Sequence, residues 1–212
     1  MKKIMFNDQY QLTQLVLEGY KTMTRRAESG VRIHEATNEA VQLALELHKS
    51  CRAGKTIIKA DDVSRIEICT RYLIGEEVAI AQSYNTILEK EYLSPEREKQ
   101  IRELVENRHP GATNKMYVSP ELMPHRIRIT DIRIERQQNI SDEDCMAEGI
   151  RLVLDDKFYY FEGYENSIKE CPCGNYFNTP KEAFAGLVEK AMGKGIWEKN
   201  PWVVVYEFEL IN

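Results

Sequence analysis

The strongest strand signal in the sequence is the stretch Trp202-Val203-Val204-Val205-Tyr206-Glu207-Phe208-Glu209-Leu210. Successive side chains of a strand point to opposite faces of a sheet. One face of this stretch is apolar throughout, whereas the other begins with valines and ends with glutamates. A strand that is apolar on both faces is covered on both sides. We therefore predict that this stretch is a central strand of the fold.

A second long strand is predicted over residues 126–136. Its isoleucines form two pairs of different parity, Ile127 with Ile129 and Ile132 with Ile134. A β-bulge near Thr130 and Asp131 would return both pairs to one face of the sheet. Shorter strands are predicted over residues 21–26, 65–70 and 77–81.

Capping residues and apolar spacing predict helices between these strands. They are expected over residues 8–18, 33–53 and 94–108, as a short turn after Ser141, and from Thr179 to Gly193. The helix over 94–108 has a thin apolar stripe, so we expect it at the surface. Strands and helices at irregular intervals favour an α+β fold with a small mixed sheet or barrel over a doubly wound sheet.

Composition limits the classes of function. The 212 residues include 29 Lys and Arg against 34 Asp and Glu, which gives a formal charge of -5. This balance argues against a broad basic face, so we expect any nucleic-acid contact to be confined to a cleft. No apolar run approaches the ~20 residues of a membrane span, and the N-terminal residues lack the apolar core of a signal peptide. Five cysteines at irregular spacing favour a reducing, cytoplasmic setting over a disulfide framework.

A basic segment follows the first predicted helix, Gly19-Tyr20-Lys21-Thr22-Met23-Thr24-Arg25-Arg26. Strand alternation places Thr24 and Arg26 on one face of the strand and Arg25 on the other. The direction of the Lys21 side chain depends on the turn after Gly19. A basic cluster beside a hydroxyl is typical of an anion or nucleotide pocket. Lys and Arg also protect exposed edge strands from pairing with other chains. The residues alone leave both interpretations open.

The pattern Gly19-x-Lys21-x-x-Thr24-x-Arg26 matches the G-x-K-x-x-T-x-R signature of the ASCH domain family, which belongs to the PUA-like superfamily. Further patches resemble ASCH proteins of bacteriophages and prophages, among them Arg71-Tyr72-Leu73-Ile74-Gly75-Glu76 and Asn200-Pro201-Trp202-Val203. The resemblance implies a single domain over residues 1–212, built as a small, mixed PUA-like β-barrel with flanking helices. It fades over about 30–64 and 85–118, which we predict to be helical insertions.

The resemblance also implies a function. ASCH domains are associated with RNA binding, and small ASCH amidohydrolases cleave N4-acetylcytidine with a Lys, a Thr and a Glu. Those residues fall on Lys21, Thr24 and Glu148, which are the predicted catalytic residues, and the signature arginine falls on Arg26. We expect a cleft on the side of the barrel that binds RNA or a modified cytidine and uses neither metal nor cofactor.

Further residues are predicted to contact the substrate. Many phage relatives carry an R-E-T-W run where this chain has Ala81-Gln82-Ser83-Tyr84, so Gln82 and Tyr84 alter the cleft if they line it. His125 follows Pro124 at the start of a predicted strand, where it would reach the rim of the cleft. The predicted substrate-binding residues are Arg25, Arg26, Gln82, Tyr84 and His125.

The sequence leaves other roles open. A pure RNA-binding module needs a basic track beyond the pocket, which would run through Arg25, Arg32, Arg126 and Arg128. A non-catalytic phage or prophage protein that acts on a host protein partner would instead expose an apolar patch. Cys171-Pro172-Cys173, even with His48 and Cys51, lacks the spacing of a zinc site. We predict a hairpin tip at these cysteines and no cysteine nucleophile.

Overall fold

The computed structural model describes residues 1–51, 55–59, 65–152, 158–161 and 176–211. Its centre is a five-stranded mixed sheet. In spatial order the strands are β1 (Lys2–Ile4), β6 (Glu77–Ile80), β7 (Arg126–Arg136), β10 (Trp202–Ile211) and β2 (Met23–Arg26). The first pair is parallel and the other pairs are antiparallel. Helices flank this sheet, so the α+β class is confirmed.

β10 is the interior strand that the sequence predicts. It pairs with β7 on one side and with β2 on the other. Val204, Tyr206 and Phe208 point into the main core, whereas Val203 and Val205 pack on the opposite face. Both faces are covered here, which explains why both are apolar in the first half of the strand.

The predicted β-bulge in β7 is confirmed. Asp131 pairs with Glu207 and Ile129 pairs with Phe208, so Thr130 is an extra residue on β7. The bulge brings the isoleucines on either side of it to one face of the sheet. All of them are buried in the main core: Ile127, Ile129, Ile132 and Ile134.

A second sheet packs on the main core. Its strands are, in spatial order, β3 (Val31–His34), β5 (Arg65–Ile68) and β4 (Thr56–Lys59), and α2 (Asn38–Cys51) lies against it. The predicted helix over 33–53 is therefore wrong at its start. Ile33 belongs to β3, because alternate residues there turn one face to the core and the other to solvent. The buried residues of α2 are Val41, Ala44, Leu45 and His48.

The predicted helix over residues 8–18 forms two pieces. A 3-10 turn (Asp8–Tyr10) and α1 (Leu12–Leu17) meet at Gln11, whose φ of 51° lies in the left-handed region. Gly19 then turns the chain with a φ of 77°. The turn directs the chain from α1 into β2.

Hydroxyl caps begin the later helices where the sequence predicts them. The side chains of Ser94, Ser141 and Thr179 each accept a hydrogen bond from a backbone N–H three residues later. The capped helices are α4 (Pro95–Glu106), α5 (Asp142–Ala147) and α6 (Pro180–Met192). Elements without a predicted counterpart are β1, β4, α3 (Tyr84–Lys90), α7 (Ile196–Lys199) and β8 (Arg151–Leu152), and β8 pairs with β9 (Tyr159–Tyr160).

The described strands of the main sheet do not close into a barrel, because β1 and β2 are its edges. Residues 30–64 contribute the strands β3 and β4 together with α2, and residues 85–118 contribute α4 and most of α3. Their origin as insertions stays a prediction. No helix in the described part of the chain is long and apolar enough to cross a membrane.

α4 is a surface helix, as its thin apolar stripe predicts. Ile101 is its one buried residue and lies in a cluster with Ile87 of α3 and Ala79 of β6. Leu104 and Val105 of the same stripe are partly buried against this cluster. The stripe therefore joins α4 to the main sheet, and the other residues of the helix are exposed or partly exposed.

We expect Ile101→Ala to lower the free energy of unfolding by about 3 kcal/mol, because it opens a cavity in a packed cluster. Leu43→Ala on α2 is the control, since Leu43 is 59% exposed and should change stability by less than about 0.5 kcal/mol. Urea denaturation with an unchanged m-value measures both. Equal, small losses of stability in the two variants would contradict the burial of Ile101 in this cluster.

Candidate active site

One cavity at the edge strand β2 gathers the residues of the basic segment. We call it the Lys21 cavity, and its volume is about 340 Å³. Its polar lining includes Lys21, Thr24, Arg25, Arg26, Gln137 and Glu148. Apolar side chains of α6, among them Phe184 and Leu187, form another part of the wall. A cavity of this size with mixed lining suits a small organic ligand.

The side chains of β2 alternate between the two faces of the sheet, as the sequence predicts. Thr24 and Arg26 lie on the face of the sheet that Tyr206 occupies. Arg25 lies on the other face, where its Nη1 is 3.2 Å from the sulfur of Met23. Because β2 is an edge strand, side chains from both faces reach the same cavity.

Lys21 and Glu148 form a buried ion pair. Lys21 Nζ donates to Glu148 Oε2 at 2.5 Å and to the Glu148 carbonyl oxygen at 2.8 Å, and the side chains are 1% and 6% exposed. Lys21 precedes β2, and its backbone N–H donates to the carbonyl of Leu15 at 3.0 Å, so the turn after Gly19 sets its direction. Glu148 stands at the end of α5, next to Gly149 with its φ of 104°.

The surroundings of Lys21 change its acidity. Burial lowers its pKa from the ordinary value of 10.5, because desolvation disfavours the ammonium form. Glu148 opposes the shift, whereas Arg26 and Arg25 reinforce it. An amine with a lowered pKa is more readily neutral and able to accept a proton, which is what a general base requires.

Arg25 belongs to an ion-pair network beside the cavity. Its Nη2 donates to Glu135 at 2.5 Å and to Asp144 at 2.8 Å, and its Nη1 lies 3.7 Å from Glu148 Oε1. Arg133 also donates to Asp144, at 2.9 Å. Burial acts to raise the pKa of Asp144, but the hydrogen bonds from the two arginines outweigh it and lower the pKa. Arg25 therefore forms ion pairs with three acidic residues, Glu135, Asp144 and Glu148.

Several buried polar atoms of the Lys21 cavity have no hydrogen-bond partner among the described residues: Arg25 Nε, Arg26 Nε, Gln137 Oε1 and Glu148 Oε1. Buried polar groups of native proteins are nearly always satisfied, so a group of unpartnered atoms at one cavity indicates a place for a ligand or water. Gln137 is the residue that the sequence does not predict. The assembled fold buries Gln137 to 2% exposure. No local sequence pattern identifies it as a residue of the site.

The structure places Gln82, Tyr84 and His125 away from the Lys21 cavity. Gln82 and His125 line a different cavity of about 790 Å³. Both contact Glu91 there, Gln82 through Nε2 at 3.2 Å and His125 through Nε2 at 2.8 Å. Tyr84 is buried, and its hydroxyl accepts a hydrogen bond from the backbone N–H of Ser119 at 2.9 Å. These three residues are therefore not brought together with Lys21.

The arginines of the hypothetical basic track are matched by acidic partners. Arg126 and Arg128 both pair with Glu77, at 3.8 and 3.3 Å. Arg32 stands opposite Glu67 in the second sheet. Arg25, the fourth arginine, lies in the buried ion-pair network with Glu135 and Asp144. These four side chains do not offer a row of free cations to phosphate groups.

The described histidines and cysteines give no sign of metal or thiolate chemistry. Both ring nitrogens of His48 are hydrogen-bonded at 3.0 Å, one to Thr56 and one to Thr70. Burial raises the pKa of Cys145 to about 12, which keeps its thiol protonated. Within the described ranges, no group of His, Cys, Asp and Glu is arranged to hold a metal ion. Cys171 and Cys173 lie outside those ranges.

Lys21→Met should lower the free energy of unfolding at pH 7 by about 3 kcal/mol, because it leaves the Glu148 carboxylate buried without its main partner. Adding Glu148→Gln should restore much of the loss. Lys2→Met is the control, since Lys2 pairs with Glu76 at 3.0 Å but is 47% exposed, and an exposed pair contributes less than about 1 kcal/mol.

The same variant tests the pKa of Lys21. Because folding lowers this pKa, the native state binds fewer protons than the unfolded chain at pH values just below 10.5. The wild type should therefore gain stability relative to Lys21→Met as the pH rises through that range. Denaturation at a series of alkaline pH values measures the difference in free energy of unfolding between the two proteins. A difference that becomes smaller as the pH rises would contradict a lowered pKa of Lys21.

Comparisons with known proteins leave the chain without an assigned family. No protein-family model matches it, and no curated protein or solved structure gives a significant match. The resemblance to ASCH proteins accordingly depends on the residue patterns.

Proposed function

We propose that this chain is a PUA-like ASCH protein that hydrolyses the amide of an N4-acylated cytidine nucleoside in the Lys21 cavity. The observation that carries the proposal is the buried Lys21–Glu148 pair, which shares that cavity with Thr24. The two members of the pair lie 127 residues apart in the sequence. A buried ion pair is a poor way to stabilise a fold, so its position beside unpartnered polar atoms supports a chemical role.

The size and charge of the cavity support a nucleoside over an RNA strand. A volume of about 340 Å³ accommodates one nucleoside with a small acyl group. RNA binding needs several free cations for phosphate contacts, whereas three of the four arginines predicted for that task, Arg25, Arg126 and Arg128, are ion-paired. Free thiols at Cys69 and Cys145 are compatible with a cytoplasmic setting.

The reaction begins with a proton shift inside the ion pair. The 2.5 Å hydrogen bond allows the Lys21 proton to pass to Glu148, which leaves a neutral amine and a carboxylic acid with no change in net charge. The amine then takes the proton of the Thr24 hydroxyl while Oγ1 attacks the acyl carbon. The carbonyl π electrons move to oxygen, and the Lys21 ammonium stabilises the oxyanion.

Collapse of the tetrahedral intermediate breaks the bond between the acyl carbon and N4. Glu148 donates its proton to N4, so cytidine leaves with a neutral amino group and the acyl group remains on Thr24. Water then attacks the ester with the same pair as base and acid, which releases the carboxylic acid and restores the Thr24 hydroxyl. Arg26 holds a carbonyl oxygen of the base throughout.

Thr24→Val should lower kcat for N4-acetylcytidine by at least about a hundredfold, because it removes the nucleophile while keeping the side-chain shape. Thr22→Val is the matched control, since Thr22 is exposed, lies outside the cavity lining and should retain activity. Lys21→Ala and Glu148→Ala should also lose turnover. Release of cytidine, followed by chromatography, measures the rates.

The proposal fails if the well-folded wild type releases no cytidine. A titration with single-stranded RNA at several salt concentrations then decides for or against RNA binding. Equal activity of Thr24→Val and the wild type would remove Thr24 as the nucleophile. Detection of an acylated Thr24 peptide by mass spectrometry would distinguish direct attack by the hydroxyl from attack by a positioned water.

A further inference from the structure

Gln137 contributes a buried amide whose carbonyl has no partner among the described residues. It is the first residue of the 3-10 turn Gln137–Asn139, directly after β7, and its backbone N–H donates to the carbonyl of Pro201 at 2.9 Å. Its side chain is 2% exposed and lines the Lys21 cavity. Gln137 Oε1 makes no hydrogen bond to any described residue.

The unpartnered carbonyl of Gln137 lowers the stability of the protein without a ligand. A buried acceptor has given up its bonds to water and receives nothing in return. Gln42 makes a useful contrast, because its side-chain amide donates to the backbone carbonyl of Ile134 at 3.1 Å and so contributes to the packing of α2. Gln137 Oε1 makes no such bond to a described residue, so this acceptor is available to a donor that arrives with a ligand.

The neighbours of Gln137 restrict what that ligand presents. Arg26 is anchored through Nη2, which donates to the carbonyl of Met5 at 2.7 Å, and its buried Nε has no acceptor in the described part of the chain. The cavity therefore offers an acceptor and a donor to the same molecule. An acylated cytosine supplies the complement, with N–H at N4 and acceptors at N3 and O2.

We propose that Gln137 is a specificity-determining residue that accepts a hydrogen bond from the N–H of the scissile amide, so that the site selects secondary amides of cytosine. The inference rests on the proposed hydrolysis in the Lys21 cavity. Holding the N–H on Gln137 orients the nitrogen and leaves its developing lone pair free for the proton from Glu148. Substrates whose leaving nitrogen carries a methyl group in place of hydrogen cannot make this bond.

The test combines two substrates with two forms of the protein. N4-acetylcytidine carries the N–H, and N4-acetyl-N4-methylcytidine lacks it. The wild type should prefer the first in kcat/KM, and Gln137→Met should reduce that preference by about tenfold, the effect of one buried hydrogen bond. Steric effects of the methyl group act on both proteins and cancel in the ratio. Gln14→Met is the control, because Gln14 of α1 is exposed and lies outside the lining of the Lys21 cavity, and it should leave the preference unchanged.

Thermal unfolding supplies a second readout. Gln137→Met removes an unsatisfied buried acceptor, so its melting temperature should equal or exceed that of the wild type. Loss of folding in this variant and in Gln137→Leu would assign Gln137 a structural role and overturn the inference. An unchanged preference in an active, folded variant would also overturn it and leave the proposed hydrolysis standing. If the wild type cleaves neither substrate, both proposals fall together.

Discussion

The buried ion pair between Lys21 and Glu148 is the interaction on which the arrangement of the site depends. It joins the turn after α1 to the end of α5, and the backbone bond from Thr22 N–H to the Ala147 carbonyl at 3.0 Å fastens the same two segments. Two charges removed from water need each other, because either one alone has a large desolvation cost. The pair therefore holds the two segments in one relative position beside the Lys21 cavity.

The main sheet positions the residues around this ion pair. β2 is an edge strand, and that position allows Thr24 from one face and Arg25 from the other to serve one cavity. Arg25 ties Glu135 of β7 and Asp144 of α5 together next to Glu148. Asp144 thus has two tasks, since its negative charge lies in the first turn of α5 and it neutralises Arg25, which would otherwise repel Lys21.

The sequence predicts those features that depend on local periodicity and on a shared motif. The parity change between Ile129 and Ile132 is enough to predict a bulge, and the alternation in 202–210 is enough to predict an interior strand. Ile33 misleads because one apolar residue fits a helical and an extended pattern equally well, and only pairing with Ile66 decides between them. Gln137 gives no local signal at all, because its burial and its missing partner are properties of the assembled fold.

The sheet order also has a consequence for biosynthesis. β10 is the only neighbour of β2 in the described sheet, and Tyr206 of β10 donates to Glu28 across 178 residues of sequence. During translation the basic segment has no neighbour in this sheet to pair with until β10 has left the ribosome. Contacts between such distant segments form slowly. A nascent chain therefore carries Lys21 and Thr24 without an assembled cavity until the residues of β10 have been added.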